Sequence, residues 1–310
     1  MKRVLITGGA GFIGSHTADL LLDMGIPVRV LDNLSSGFRH NLPAQHDLLE
    51  FIEGDIRDKA MVEHCMQDVS HCLHLAAQVS VVASLEDPEF SAQQNIIGFI
   101  NVLDALRKQR ADRLVYASSA AIYGDPVTIP LPEDIEKTQL SPYGLEKQIN
   151  EQYADLYQRL YDISSLGQRF FNVYGPRQDP KSPYAGVIAL FVDRISQKQP
   201  LTVFGDGQQT RDFIYVGDVA RANVAALQSS VGGACNIATG IETSLLDLIN
   251  VLSEITQQIA DVHFEAPREG DIVHSLAFTT KMNETLGVQA QTSLKQGLVQ
   301  LINSETGSDA

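Results

Sequence analysis

The chain has 310 residues, with 23 Lys+Arg against 38 Asp+Glu, so its formal charge is −15. That balance excludes a general nucleic-acid or membrane-surface binder, because attraction to phosphate backbones needs a basic face. An anionic small ligand needs only a few local donors and stays open.

Hydrophobic residues make up 44% and charged residues 20%, an ordinary globular composition with enough chain for one large or two modest domains. The N-terminal "MKRVLITGGAGFIGSH" has a short apolar run broken by glycines, which is neither a signal peptide nor a spanning helix. Cys65, Cys72 and Cys235 are odd in number and fit no zinc spacing. They are expected to be buried free thiols, as in a reducing compartment, and a cytoplasmic protein is expected.

In chain order, "RVLITG" (3–8) predicts a strand and Ser15 to Met24 a helix stopped by Gly25. Further strands are expected in "VRVLD" (28–32), "LLEFIEGD" (48–55), "HCLHLAA" (71–77), "RLVYASS" (113–119) and "ISSLGQRFF" (163–171). Several of these runs are apolar on successive residues, as strands covered on both faces are. Strand–helix alternation predicts right-handed crossovers and an α/β fold with a doubly wound parallel sheet.

Beyond Asn172 the pattern loosens. Residues 172–186 read as a loop, "LTVFGDG" (201–207) and "RDFIYVGD" (211–218) as strand and turn pieces, and helices are expected near 187–198, 218–229 and 243–256. The tail at 304–310 is expected to fray. Residues 1–171 read as a dinucleotide-binding domain, with later segments free to return to it. Residues 172–310 read mainly as a smaller C-terminal α/β substrate lobe.

"TGGAGFIGSH" places Gly8, Gly11 and Gly14 between a strand and a helix. Glycines there permit a tight turn and close backbone approach, and the helix N-terminus offers N–H groups to a pyrophosphate. Asp32 ends the second strand eighteen residues after Gly14. A carboxylate at that place accepts hydrogen bonds from the adenosine ribose and repels a 2′-phosphate, which favours NAD over NADP. Asp55 ends the third strand, within reach of the adenine edge.

"SPYGLEK" (141–147) opens a helix, with Ser141 as cap and Pro142 in the first turn. Tyr143 and Lys147 then share one face. A free tyrosine has a pKa of about 10, and lowering it by roughly three units takes about 4 kcal/mol. The Lys147 ammonium and an oxidised nicotinamide are expected to supply that. Ser118 and Ser119 end the fifth strand, where ligands of doubly wound sheets bind.

Together with "LDNLSSG", "GDIRD", "HLAAQ", "SSAAIYG", "RFFNVYGPRQ", "FGDGQQTRDFIYVGDVA" and "REGDI", these motifs resemble the extended short-chain dehydrogenase/reductase family in its nucleotide-sugar 4-epimerase branch, over almost the whole chain. The resemblance implies Ser119, Tyr143 and Lys147 as catalytic residues. It implies cofactor contacts from Gly8, Gly11, Phe12, Ile13, Gly14, Asp32, Asn33, Asp55, Ile56, Leu75, Ala76, Ala77, Tyr143 and Lys147. For a UDP-sugar it implies Ser119, Asn172, Gln178, Val187, Arg211, Arg268, Asp271 and Ser275. The two arginines would clamp the pyrophosphate, as guanidinium forks suit phosphate oxygens. NAD is the implied cofactor and no metal is expected. A homodimer is implied, built from the helix after Pro88 and the helix of Tyr143.

Related 4,6-dehydratases and sugar-acid decarboxylases carry an acidic side chain just after the catalytic Ser/Thr. Here Ala120 and Ala121 stand there, which favours inversion at C4 over elimination. Uronate epimerases tend to place Thr where this chain has Asn172. A non-enzymatic dinucleotide sensor typically loses the tyrosine or lysine, and both are kept. In the resembling epimerases the residue four after the "REGD" aspartate lines the sugar pocket. Ser275 at that place implies room for an N-acetyl group.

Overall fold

The computed structural model describes residues 1–126, 128–180, 186–267 and 272–306. Its first six strands are β1 (Val4–Thr7), β2 (Val28–Asp32), β3 (Leu49–Glu53), β4 (His71–His74), β5 (Arg113–Ser119) and β6 (Ser165–Phe170). Between them run α1 (Phe12–Asp23), α2 (Lys59–Cys65), α3 (Val81–Glu86), α4 (Pro88–Ala92), α5 (Gly98–Gln109) and the long α6 (Pro142–Tyr161). A π turn, Gln93–Ile97, joins α4 to α5.

The second half contributes β7 (Asn172–Tyr174), α7 (Val187–Ser196), β8 (Leu201–Phe204), β9 (Thr210–Arg211) and β10 (Phe213–Tyr215). Then come α8 (Val216–Gln228), β11 (Gly233–Ile237), β12 (Thr243–Ser244), α9 (Leu245–Thr256), β13 (Val262–Glu265), α10 (Thr280–Thr285) and α11 (Leu294–Thr306).

Seven strands form one sheet in the spatial order β11-β6-β5-β4-β1-β2-β3. Every pairing in it is parallel. Strand order reverses at β1, which lies between β2 and β4, so their carboxyl ends open the crevice in which such folds bind ligands. Continuous burial accounts for the apolar runs: Val4, Leu5, Ile6 and Thr7 are all fully buried. One core lies under α1, α8 and β11, including Val4, Ile6, Ala18, Leu21, Ala222 and Cys235. The other lies under α2, α5 and α6, including Leu5, Val62, Phe99 and Tyr116. All three cysteines are buried and unpaired.

The structure departs from the sequence expectation in several places, and Asn172–Tyr174, read as the start of a loop, form β7 paired with β10. Helix α1 starts at Phe12 rather than Ser15, because Gly11 caps it with backbone alone and Gly14 lies inside the first turn. The seventh strand, "GACNI", was not expected. It returns to the sheet beside β6, and α8 returns with it to pack on α1, where Asn223 Nδ2 donates to Thr17 Oγ1 at 2.9 Å. The helices of the second half are shorter than expected or displaced by two residues, and β8 pairs with the distant β13. The tail keeps α11 to Thr306, and 307–310 lie outside the described residues.

A buried ion pair ties the sheet to α6. Arg169 on β6 donates from Nε to Glu151 Oε1 at 2.8 Å and from Nη2 to Oε2 at 2.7 Å. Its Nη1 donates to the Tyr123 phenol and to the Glu133 carbonyl. Breaking a buried pair from one side leaves a charge without compensation, at a cost of about 3–5 kcal/mol. Urea unfolding of Arg169→Met should show a loss of that size, and Glu151→Gln in the same chain should recover part of it. An unchanged midpoint in the single variant would contradict this reading.

Candidate active site

The glycine loop between β1 and α1 forms a cradle that side chains would fill. Gly8 has φ +70°, and a Cβ there would lie 2.6 Å from the Ala76 nitrogen. A Cβ on Gly14 would collide with the Gly8 carbonyl oxygen. Gly11 caps α1 with no side-chain hydrogen bond, so the first-turn amides, including those of Phe12 and Ile13, have no side-chain acceptor. The loop therefore suits a ligand bearing phosphate oxygens.

Asp32 is buried at the end of β2. Its Oδ2 accepts the Ala10 N–H and its Oδ1 the Leu34 N–H, both at 2.9 Å. Burial pushes its carboxyl above the ordinary range, and these amides, with that of Gly11, pull it partly back. Two amides on a carboxylate leave lone pairs for further donors. Exposed Asn33 donates to Asp55 Oδ2 at 3.0 Å. Arg57 also binds Asp55 and brings its pKa down to about 2. Ile56 is buried in the core, its carbonyl held by Asn101. Leu75, Ala76 and Ala77 follow β4 and are half-buried, with the Ala76 N–H directed to Thr7 Oγ1. Asp32, Asn33, Asp55 and Leu75–Ala77 stand at or just beyond the carboxyl ends of β2, β3 and β4, with Ile56 turned into the core, and this donor set fits a dinucleotide such as NAD.

On the other side of β4 stand the residues of "SPYGLEK". Ser141 accepts the Gly144 N–H at 3.1 Å, and Pro142 occupies the first turn of α6, so the cap forms as expected. The Tyr143 amide has no intrahelical partner and donates to Ser84 Oγ of α3 at 3.2 Å. Ser119, at the end of β5, accepts the Ala121 N–H at 3.1 Å and hydrogen-bonds the Tyr143 phenol. Lys147 is buried, with Nζ 5.7 Å from the Tyr143 ring centroid and donating to the Ala117 carbonyl at 3.1 Å. Ser119, Tyr143 and Lys147 are thus brought together.

One expectation is reversed. The phenol of Tyr143 is pushed up rather than down: burial raises it, the Ser119 hydrogen bond favours the phenolate, and the charge of Glu146 opposes it. Lys147 directs its ammonium at a carbonyl, not at the phenol. Burial brings Lys147 down to about 8 while Glu146 pulls it upward, so it stays largely cationic at neutral pH. His74, at the end of β4, is brought to about 3 by burial and by the Lys147 charge, so its imidazole is neutral beside Thr7 Oγ1 at 2.7 Å.

Of the residues expected to meet the substrate, Asn172, Arg211 and Ser275 come together around 210–212. Exposed Asn172 donates its N–H to the Asp212 carbonyl at 3.1 Å, and the Ser275 N–H reaches the Thr210 carbonyl at 3.2 Å. Arg211 lies between them, half-buried, with Nη1 donating to the Thr210 carbonyl at 2.8 Å. Buried Asp212 binds the N–H groups of Thr239, Gly240 and Ala277, gathering three loops under this cluster. Gln178 lies against Gly186, next to Val187 at the start of α7, and its Oε1 is buried with no partner among the described residues. Arg268 and Asp271 lie outside the described residues. Sequence reasoning missed Ser84, Asn95, Glu146 and Asp212, because single polar residues carry no signal until tertiary contacts bury them.

The family model described as NAD dependent epimerase/dehydratase family matches residues 4–238. A UDP-glucose 4-epimerase from Mycolicibacterium smegmatis is 37% identical over 305 residues, covering 97% of this chain and 97% of that protein. The structure of UDP-N-acetylglucosamine 4-epimerase from Methanobrevibacter ruminantium, in complex with UDP-N-acetylmuramic acid, superposes with a TM-score of 0.96 at 34% identity, covering 99% of each chain. A Thermus thermophilus UDP-glucose 4-epimerase in complex with NAD gives a TM-score of 0.91 at 36% identity, covering 99% of this chain and 100% of the other. The glycine cradle, the buried Asp32 at the end of β2 and the Ser–Tyr–Lys cluster at the carboxyl edge of the sheet agree with these likenesses, and the chain belongs to the NAD dependent epimerase/dehydratase family.

Proposed function

We propose that the protein is an NAD-dependent UDP-sugar 4-epimerase that inverts C4 through a transient 4-keto sugar. The observation that carries this is the composition of the turn beside Ser119. Residues Ala120–Tyr123 form a short 3-10 turn with no acidic side chain in it. Dehydration or decarboxylation needs an added group to move protons at neighbouring carbons, and C4 inversion does not. The relatives' names support the same reading. We assign NAD to the residues of 1–171 that line the crevice and the nucleotide-sugar mainly to residues of 172–310.

In this mechanism Tyr143 Oη takes the proton from the sugar O4 while Ser119 Oγ holds that oxygen by a hydrogen bond. NAD, which the glycine loop and Asp32 would hold, would supply a reversible hydride acceptor for C4, so that no net oxidation results. The 4-keto sugar turns within the site, and Tyr143 then gives the proton back to O4. Lys147 supplies a fixed positive charge beside the phenol, which favours the phenolate form. Burial works against that form in the free protein, so the proton leaves Tyr143 only once a cationic cofactor adds to the field. Arg211 and Asn172 face the diphosphate.

A second copy of the chain completes the assembly in this proposal. Val81, Val82 and Leu85 of α3, Phe90 of α4 and Leu145 of α6 are exposed apolar side chains on the helices around Tyr143. A monomer mass by light scattering would contradict this.

Two experiments test the function. Asp32→Ala should weaken NAD binding and relax discrimination against NADP, read by fluorescence titration of the reduced cofactors. Equal binding of both cofactors by the unaltered protein would remove Asp32 from that role. The other is a panel of UDP-sugars resolved by chromatography. Tyr143→Phe should lose about 10²–10⁴ in rate on every accepted sugar. Ser275→Tyr should suppress UDP-N-acetylglucosamine and its galacto epimer while sparing UDP-glucose and UDP-galactose. Undiminished turnover by the phenylalanine variant, or equal loss on both sugar types by the tyrosine variant, would sink the respective assignment.

A further inference from the structure

Glu146 stands on α6 between Tyr143 and Lys147 and is 3% exposed. Glutamate is almost never fully buried unless it is paired. Here its Oε2 accepts two neutral donors, Ser91 Oγ of α4 at 2.8 Å and Asn95 Nδ2 of the π turn at 2.7 Å. Neither donor cancels its charge.

Asn95 is itself 1% exposed and makes a second set of bonds. Its Oδ1 accepts the Gln78 N–H and its Nδ2 donates to the Gln78 carbonyl, both at 2.9 Å. Gln78 directly follows Leu75, Ala76 and Ala77, the segment that closes over Gly8. One asparagine therefore joins the helix of Tyr143 to the loop that borders the dinucleotide crevice. A π turn inside a helical run often marks a functional site. This one presents Asn95 to both partners at once.

The charges around Lys147 are few. From β4 it faces His74, whose imidazole is neutral. From β5 it faces the Ala117 carbonyl, with the Ser119 hydroxyl close by at Tyr143. Helices α3 and α4 and the π turn present the uncharged Ser84, Ser91 and Asn95. Glu151, one turn further along α6, is neutralised by Arg169. Glu146 is left as the charge that acts on both members of the pair, holding protons on Lys147 and on Tyr143.

We propose that Glu146 is a positioning residue of the reaction, which fixes the helix of Tyr143 and Lys147 against the Gln78 loop through Asn95 and sets a buried negative charge beside both side chains. The proposal rests on the reading of Tyr143 and Lys147 as the pair that handles the sugar O4 proton. Its consequence is a division of labour. The ammonium survives burial because Glu146 is near, and Tyr143 keeps its proton until a cationic cofactor arrives.

The test separates charge from geometry. Glu146→Gln keeps an oxygen for Ser91 and Asn95 and removes the charge. In protein labelled with 13C-lysine, with the Lys147 signal assigned by its loss in Lys147→Met, the parent should titrate near pH 8. The glutamine variant should titrate at least about one pH unit lower, the effect of a unit charge within about 12 Å at an effective dielectric of about 20. The alkaline limb of kcat should move by the same amount. Asn95→Ala keeps the charge and breaks the link: the lysine midpoint should stay in place while kcat falls roughly tenfold with KM for the UDP-sugar little changed. An unmoved lysine midpoint in Glu146→Gln, or full turnover in Asn95→Ala, would overturn the proposal. The titration needs neither sugar nor cofactor, so a parent protein inactive on every UDP-sugar would count against the proposed function and leave the charge claim standing or falling on the midpoint alone.

Discussion

The burial of the Lys147 ammonium is the constraint on which the site depends. A lysine out of water tends to lose its proton, and this one is brought down to about 8. It stays cationic at neutral pH because the fold surrounds it with a strand-end carbonyl, the face of a tyrosine ring and a nearby carboxylate. The partners come from two stages of the fold. The carbonyl belongs to the fifth strand of the sheet, and the ring and carboxylate to the helix that follows it. The carboxylate is held in turn by the π turn before α5. Moving α6 by one register would part Lys147 from the Ala117 carbonyl and Glu146 from Ser91 and Asn95 together.

The same arrangement explains why the free protein keeps its tyrosine protonated. Desolvation and the Glu146 charge act together on Tyr143, against a single hydrogen bond from Ser119. A phenol poised this way does not take a proton until another positive charge enters the crevice. That restraint suits a redox-neutral reaction, in which the base should act only when the hydride acceptor is present. It is also consistent with an acidic protein handling an anionic substrate. Within a chain of overall charge −15, Arg211 stands beside Asn172 and Ser275.

Much of this was legible in the sequence, for identifiable reasons. Strands β1, β2, β4, β5 and β6 are largely buried on both faces and read as apolar runs, whereas β3 at the sheet edge is partly exposed, and Gly8, Gly14 and the Ser141–Pro142 cap announce their own geometry. Strand β11 was invisible. "GACNI" starts on a glycine with φ +78° and carries Asn236, whose side chain is paired with the Tyr123 phenol and the Leu131 carbonyl rather than with solvent. The Tyr–Lys spacing placed the two side chains on one face of α6 but did not show that burial raises the phenol in the protein alone, because spacing shows neither how deeply a phenol is buried nor where an ammonium points. Glu146 had no signal at all. A glutamate on a helix ordinarily reads as solvated, and only the contacts with Ser91 and Asn95, more than fifty residues upstream, bury it.

The central claim is that C4 is inverted without net oxidation and without elimination. It is tested most directly by following the hydrogen on that carbon. A UDP-hexose or UDP-N-acetylhexosamine deuterated at C4, incubated in ordinary water with the NAD-loaded protein, should yield the C4 epimer with its deuterium still at C4, read by proton NMR and mass spectrometry. Solvent hydrogen at C4 of the epimer, or a product lacking water or carbon dioxide, would contradict the account.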